Sequence, residues 1–224
     1  MKRFVLLAAL ASALTATHAD TTAQPDQPAQ PDQPRRWDFT VLLDGEPIGM
    51  HRFSLQPEAQ GALAVVSQAE FQVRLLGVPV YRYRHRAVER WRGGCLQSLD
   101  ADTDDDGERS HVELGTDAAG RLQLRTAQST TEPSGCLSSF AYWNPALHRQ
   151  ARLLNAQTGR IEPVQWTRIE AGTLDVDGGV QPAVRWRLSG TERPLDVWWT
   201  DEGLWVGLDA TVRGGRRLSY RLRP

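Results

Sequence analysis

From Trp37 onward the chain alternates apolar and polar residues with a period of two, and short glycine-containing turns break the alternation again and again. Trp37, Phe39, Val41 and Leu43 are apolar with polar residues between them, and Asp44-Gly45 follows before the next run begins at Pro47. Side chains on a strand point alternately to opposite faces, so this pattern buries one face of a sheet and leaves the other in water. The same texture recurs over 63–76, 78–92, 95–103, 109–116, 121–130, 164–176, 181–189, 195–200, 204–212 and 216–222. The spacers carry Gly or Asp-Gly, the residues that tolerate the positive φ of tight hairpin turns. The predicted fold is therefore all-β and mainly antiparallel, a curved meander or barrel of about ten strands. A two-sheet sandwich is the competing arrangement. One stretch departs from the pattern. Asn144-Pro145 reads as an N-cap and first-turn proline, with Leu147, Ala151 and Leu154 at helical spacing, which predicts one short helix from Pro145 to about Leu154 covering an opening.

Two segments precede this domain. Lys2 and Arg3, the apolar run from Phe4 to Thr17, and the small-x-small triplet Thr17-His18-Ala19 predict a signal peptide over residues 1–19. Residues 20–36, DTTAQPDQPAQPDQPRR, have almost nothing apolar to bury and predict a disordered Pro/Gln-rich tether. Residues 37–224 then form a single β-rich domain, large enough for its own core. Loss of Lys2 and Arg3 would leave 24 basic against 27 acidic residues, a net charge of −3. That balance gives no electrostatic reason to expect nucleic acid or an acidic membrane surface as a partner. No segment is long and apolar enough to predict a membrane span. The chain is expected to be periplasmic or secreted. Two cysteines in such a compartment, Cys95 and Cys136, predict one disulfide.

The segments FAYWNPALHRQARLLNAQTG (140–159), VERWRGGCLQSLDADTDDDGE (88–108), VWWTDEGLWVGLDA (197–210) and LSYRL (218–222) together resemble a family of exported bacterial proteins, a domain-of-unknown-function family. The resemblance covers nearly the whole domain and implies a periplasmic β-rich protein. It implies no catalytic residue.

Few motifs carry chemistry. Asp102, Asp104, Asp106, Gly107 and Glu113 match the calcium-loop pattern D-x-D-x-D-G-x5-E. The flanks are glycine-interrupted strands rather than helices, so a solvated hairpin turn is the expected reading and no metal site is assigned. His51, His85, His111 and His148 have no metal-ligand spacing. No nucleophile elbow, phosphate loop or cofactor motif is present, and no cofactor is assigned. The eight tryptophans suit core filling or an aromatic-lined cavity.

The strand over 79–92 is the most informative. One face carries Tyr81, Tyr83, His85, Glu89 and Trp91, and the other carries Arg82, Arg84, Arg86, Arg90 and Arg92. Five arginines cannot be buried without partners, so that face should look outward and the aromatic face inward. Tyr81, Tyr83, His85, Glu89 and Trp91 are the candidate ligand-binding residues. The leading expectation is a non-enzymatic carrier of an apolar or lipid-like molecule. The alternatives are an envelope scaffold that binds another protein, and an enzyme using His85 and Glu89, which lie four residues and roughly 13 Å apart on the strand.

Overall fold

The computed structural model describes residues 33–176 and 178–223. The expected signal peptide and most of the expected tether lie outside the described residues. Thirteen strands form one sheet. In chain order they begin with β1 (Arg35–Leu43), β2 (Glu46–Pro57), β3 (Ala62–Leu75), β4 (Val78–Arg92), β5 (Cys95–Asp105), β6 (Glu108–Thr116), β7 (Leu122–Thr126) and β8 (Thr130–Thr131). A small separate hairpin follows, β9 (Arg152–Leu154) with β10 (Ile161–Pro163). The large sheet resumes with β11 (Gln165–Val176), β12 (Gly179–Ser189), β13 (Leu195–Trp199), β14 (Trp205–Thr211) and β15 (Arg217–Leu222).

The order across the large sheet is β11-β12-β13-β14-β15-β1-β2-β3-β4-β5-β6-β7-β8, antiparallel at every step, and β11 does not pair with β8. The meander is thus a curved, open sheet rather than a closed barrel or a two-sheet sandwich. It has more strands than expected because the long runs split at tight turns: 121–130 becomes β7 and the start of β8. The strand β1 starts at Arg35, inside the last two residues assigned to the tether.

Curling brings one face of the sheet to the inside. Trp37, Phe39, Leu55, Leu63, Val65, Trp91, Leu99, Val112, Leu114 and Trp205 form the main core there. The apolar runs of β13 and β14 are buried on both sides, which explains why they lack alternation. The inner side meets the core, and the outer side meets the far end of β11. Gly207 marks that crossing, since a Cβ there would lie 2.4 Å from Leu174 Cδ2. Trp198, Val206, Leu174 and Ala183 make a second small cluster on this outer side.

The predicted helix is corrected. Asn144 caps a turn by accepting the amide of Ala146, but only the 3-10 turn Pro145–Arg149 follows, and residues 152–154 are strand β9. A helix of about ten residues is marginal alone. Here the turn at Asn155, whose side chain bonds Gln157 N and Glu162, favours the β9–β10 hairpin instead. The segment still covers the inside of the curl. Leu137, Ala141, Trp143 and Leu154 are buried against the sheet's inner face. Cys95 and Cys136 are bonded, and Leu96 N donates to Leu137 O at 2.8 Å, so this covering segment is fastened to the start of β5. Among the described residues no helix is long and apolar enough to cross a membrane.

Candidate functional site

The orientation expected for β4 is observed. Tyr83, His85, Glu89 and Trp91 are buried and Tyr81 is half-buried, while Arg82, Arg84, Arg86, Arg90 and Arg92 are exposed. The arginine stems lie on the outer surface with their guanidinium groups in water.

The inner face does not fill completely. A cavity of about 1060 Å³ opens between the sheet and the covering segment. Its floor comes from β2, β3, β4, β14 and β15: His51 and Phe53, Val65 and Ser67, His85, Ala87 and Glu89, Trp205 and Leu208, and Tyr220. Its roof is Ser139, Tyr142, Asn155 and Ile161, and its exposed rim includes Gln157, Thr158, Arg160, Glu192 and Arg193. Register explains why there is room. Ser67 sits directly across from Ala87, so two small side chains face the interior, and large rings oppose each other only two rows away, at Phe71 and Tyr83.

The polar groups in this cavity are organised around His51. Its Nε2 is 2.7 Å from Ser67 Oγ and its Nδ1 is 3.4 Å from the Tyr220 hydroxyl. The ring also stacks on Phe53, with centroids 4.1 Å apart. Burial, helped by nearby His85, lowers the His51 pKa to about 3. His85 bonds Thr103 Oγ1 through Nδ1 at 2.9 Å, and burial lowers its pKa to about 4. Both imidazoles are neutral at physiological pH. Glu89 accepts from Trp91 Nε1 at 2.9 Å and bonds the Ser139 hydroxyl, yet burial pushes its carboxyl above the ordinary value. Burial also raises the phenols of Tyr83, Tyr142 and Tyr220. The interior therefore offers hydroxyls and neutral imidazoles as donors and acceptors beside aromatic surface.

Of the five residues singled out on β4, His85 and Glu89 line the cavity. Tyr83 stacks on Phe71 with centroids 5.1 Å apart, in a neighbouring cluster that includes half-buried Tyr81. Trp91 packs edge-on against Trp143 in the core. His85 and Glu89 bond separate partners, Thr103 and Trp91, so they do not act as a joined acid–base pair. Sequence reasoning missed His51, Ser67, Tyr142 and Tyr220. The alternation of His51, Phe53 and Leu55 already put His51 on the inner face, and that signal was available. No spacing in the sequence, however, brings β15 beside β1 and hence Tyr220 beside His51. The Ser67–His51 contact has the reach of a nucleophile and its base. But the other ring nitrogen faces a phenol rather than a carboxylate, and a base with so low a pKa is a weak proton acceptor.

The calcium-loop residues lie on the β5–β6 hairpin and take separate protein partners. Asp102 Oδ1 is 2.9 Å from His111 Nδ1, Asp104 accepts Gly107 N at 2.8 Å and Arg109 Nε at 3.2 Å, Asp106 accepts Arg82 N, and Glu113 accepts from Arg125. Asp100, Asp102 and His111 cluster on the exposed face. His148 stacks on Trp186 and bonds the Pro145 carbonyl.

A family model described as a domain of unknown function, DUF6134, matches residues 39–223. No curated protein matches the sequence. Among solved structures, the chain is similar to a β-barrel-like protein of the domain of unknown function DUF1849 from Brucella abortus. The TM-score is 0.60 at 10% identity, and the match covers 85% of this chain and 95% of that one. At this identity the likeness is one of fold.

Proposed function

We propose, for a chain that belongs to the DUF6134 family, that it binds and carries an apolar or lipid-like molecule with an uncharged polar head group. The observation that carries this reading is the cavity of about 1060 Å³, a volume in the upper range for small-molecule sites. Phe53, Val65, Trp205 and Leu208 would take the apolar body, and His51, Ser67, Tyr142 and Tyr220 the polar head. Glu89, whose carboxyl burial pushes above its ordinary value, and His85, whose imidazole burial holds neutral, belong to the same proposed site. The buried imidazoles of His51 and His85 are neutral and offer hydrogen bonds but no cation to an anionic head, so a neutral head is favoured. The leader pattern over residues 1–19 and the Cys95–Cys136 bond support a periplasmic setting for this role.

The test is to purify the protein from its host without detergent, extract it with organic solvent, and analyse the extract by mass spectrometry. A bound molecule near stoichiometric amount is expected, and Ala87→Trp should exclude it while the melting transition remains cooperative. An empty extract from the wild type, with no uptake of a fluorescent apolar probe, would overturn the reading.

A further inference from the structure

The β3–β4 hairpin outruns its neighbours. Pairing of β2 with β3 ends at Phe71, and pairing of β5 with β4 ends at Tyr83. Residues 72–81 therefore project from the sheet as a two-stranded ribbon, with Arg82 at its base bonded to Asp106. Its tip is apolar and fully offered to solvent: Leu76 is 96% exposed, and Leu75, Val78 and Val80 are all more than half exposed. Such groups are normally turned inward or kept short and charged.

The turn residue sharpens the point. Among the described residues, four two-residue hairpins of this sheet have both turn residues at positive φ; Gly93-Gly94 is all glycine, and three begin with a residue that has a side chain. Asp44-Gly45 has φ values of 53° and 88°, Asp106-Gly107 has 54° and 94°, and Leu76-Gly77 has 51° and 82°. The first two use Asp, which tolerates this conformation and bonds nearby backbone amides: Asp44 accepts Arg217 N, and Asp106 accepts Arg82 N. Leucine at the third has no such bond to make, and a bulky residue is disfavoured at positive φ. Neither the turn nor any packing among the described residues accounts for it.

Charge narrows the choice of partner. The segment 72–82 holds Arg74 and Arg82 and no acidic residue; the carboxylates beside it, Asp105 and Asp106, sit at its base against the half-buried Tyr81 and the Arg82 backbone, away from the tip. Apolar residues at a narrow tip, Arg74 on the shoulder, and Tyr81 with Arg82 behind it fit the layering of hydrocarbon, anionic head group and interface in a bilayer. We infer that this ribbon docks the protein on the surface of a membrane containing anionic lipid, with Leu75, Leu76 and Val78 entering the acyl boundary and Arg74 and Arg82 meeting phosphate. The negative charge of the whole chain would oppose non-specific adsorption, so attachment is local to this tip.

Leu76→Asp is the decisive variant, because it installs the residue that the other two hairpins use and should leave the fold intact. Flotation of the full chain with phosphatidylglycerol/phosphatidylcholine vesicles should fall about tenfold or more in Leu76→Asp relative to wild type, with an unchanged or higher melting temperature. Arg74→Glu with Arg82→Glu should remove the preference over pure phosphatidylcholine vesicles. Equal flotation of wild type and Leu76→Asp would overturn the inference. So would a wild type that ignores vesicles but forms a dimer or a protein complex which Leu76→Asp abolishes. Occupancy of the interior cavity, read by mass spectrometry, is independent of this tip and should be unaffected in Leu76→Asp.

Discussion

Lowering the pH from 7 to 5 should destabilise this protein through His85 and His51. Both are held neutral in the fold, His85 at a pKa of about 4 and His51 at about 3, chiefly by burial. In the unfolded chain both return to about 6.5. The folded pKa lies below the unfolded one, so the unfolded state binds more protons as the pH drops. Stability is then fully present above about pH 6.5 and is lost on descent toward the folded pKa values. From pH 7 to pH 5 the linkage amounts to about 2 kcal/mol for His85, which is 8% exposed, and somewhat less for His51, whose ring borders the cavity. Glu89 works the other way: its raised pKa lets the folded state take up a proton as the pH falls, returning part of the loss. A net loss is expected, smaller than the roughly 3–4 kcal/mol the two histidines give together. Urea unfolding at pH 7, 6 and 5, at constant m, measures it. The double variant His51→Gln, His85→Gln should flatten the dependence over that interval. A wild type whose stability is level from pH 7 to 5, or a double variant with an unaltered slope, would refute the argument that buried neutral imidazoles set it.

Three further outcomes are expected. Gly49→Ala should lower the melting temperature by several degrees, because its Cβ would lie 2.0 Å from the Glu70 carbonyl oxygen at the bulge where β1 meets β2; forcing the strands apart costs about 1–3 kcal/mol. Cys95 and Cys136 should resist alkylation in denaturant until reduced, and reduction should cost about 4 kcal/mol for a loop of 41 residues, read as a shift in urea midpoint. Calcium at millimolar concentration should leave the melting temperature within about a degree, since Asp104 is already engaged by Gly107 and Arg109 and exposed carboxylates gain little from weak ion contacts. A shift that Asp104→Ala removed would show that the carboxylates do converge on the ion.

Much of the fold was legible because alternation is a local property. The facing of β4 followed from five arginines that could not be buried, and most strand boundaries fell at Gly and Asp-Gly turns. Long-range facts were not legible. Nothing in the local sequence says that the sheet stays open, or that the end of β11 lies over β14 and buries Val206 and Trp198 on the outer side. The Pro145 region misled because an N-cap, a proline and three spaced apolar residues are equally compatible with a single 3-10 turn followed by a hairpin, and pairing partners decide between them. At the site, His85 and Glu89 were found through their strand, whereas His51, Ser67 and Tyr220 meet only because β15, β1, β2 and β3 are successive neighbours in the sheet.

The first and last strands are hydrogen-bonded to each other in the middle of that sheet, Phe39 against Leu222 and Val41 against Tyr220. Each half of the molecule is a run of hairpins that can zip from nearby residues, but the seam between the halves must wait for the final segment of the chain. A polypeptide emerging N-terminus first would therefore hold β1 with one open edge until the last residues arrive. The seam therefore closes after both runs of hairpins have been made. It also makes the C-terminus intolerant of trimming: removal of residues 217–223 would leave β1 and β14 as two unpaired edges facing each other across an empty slot, and Tyr220 would vanish from beside His51.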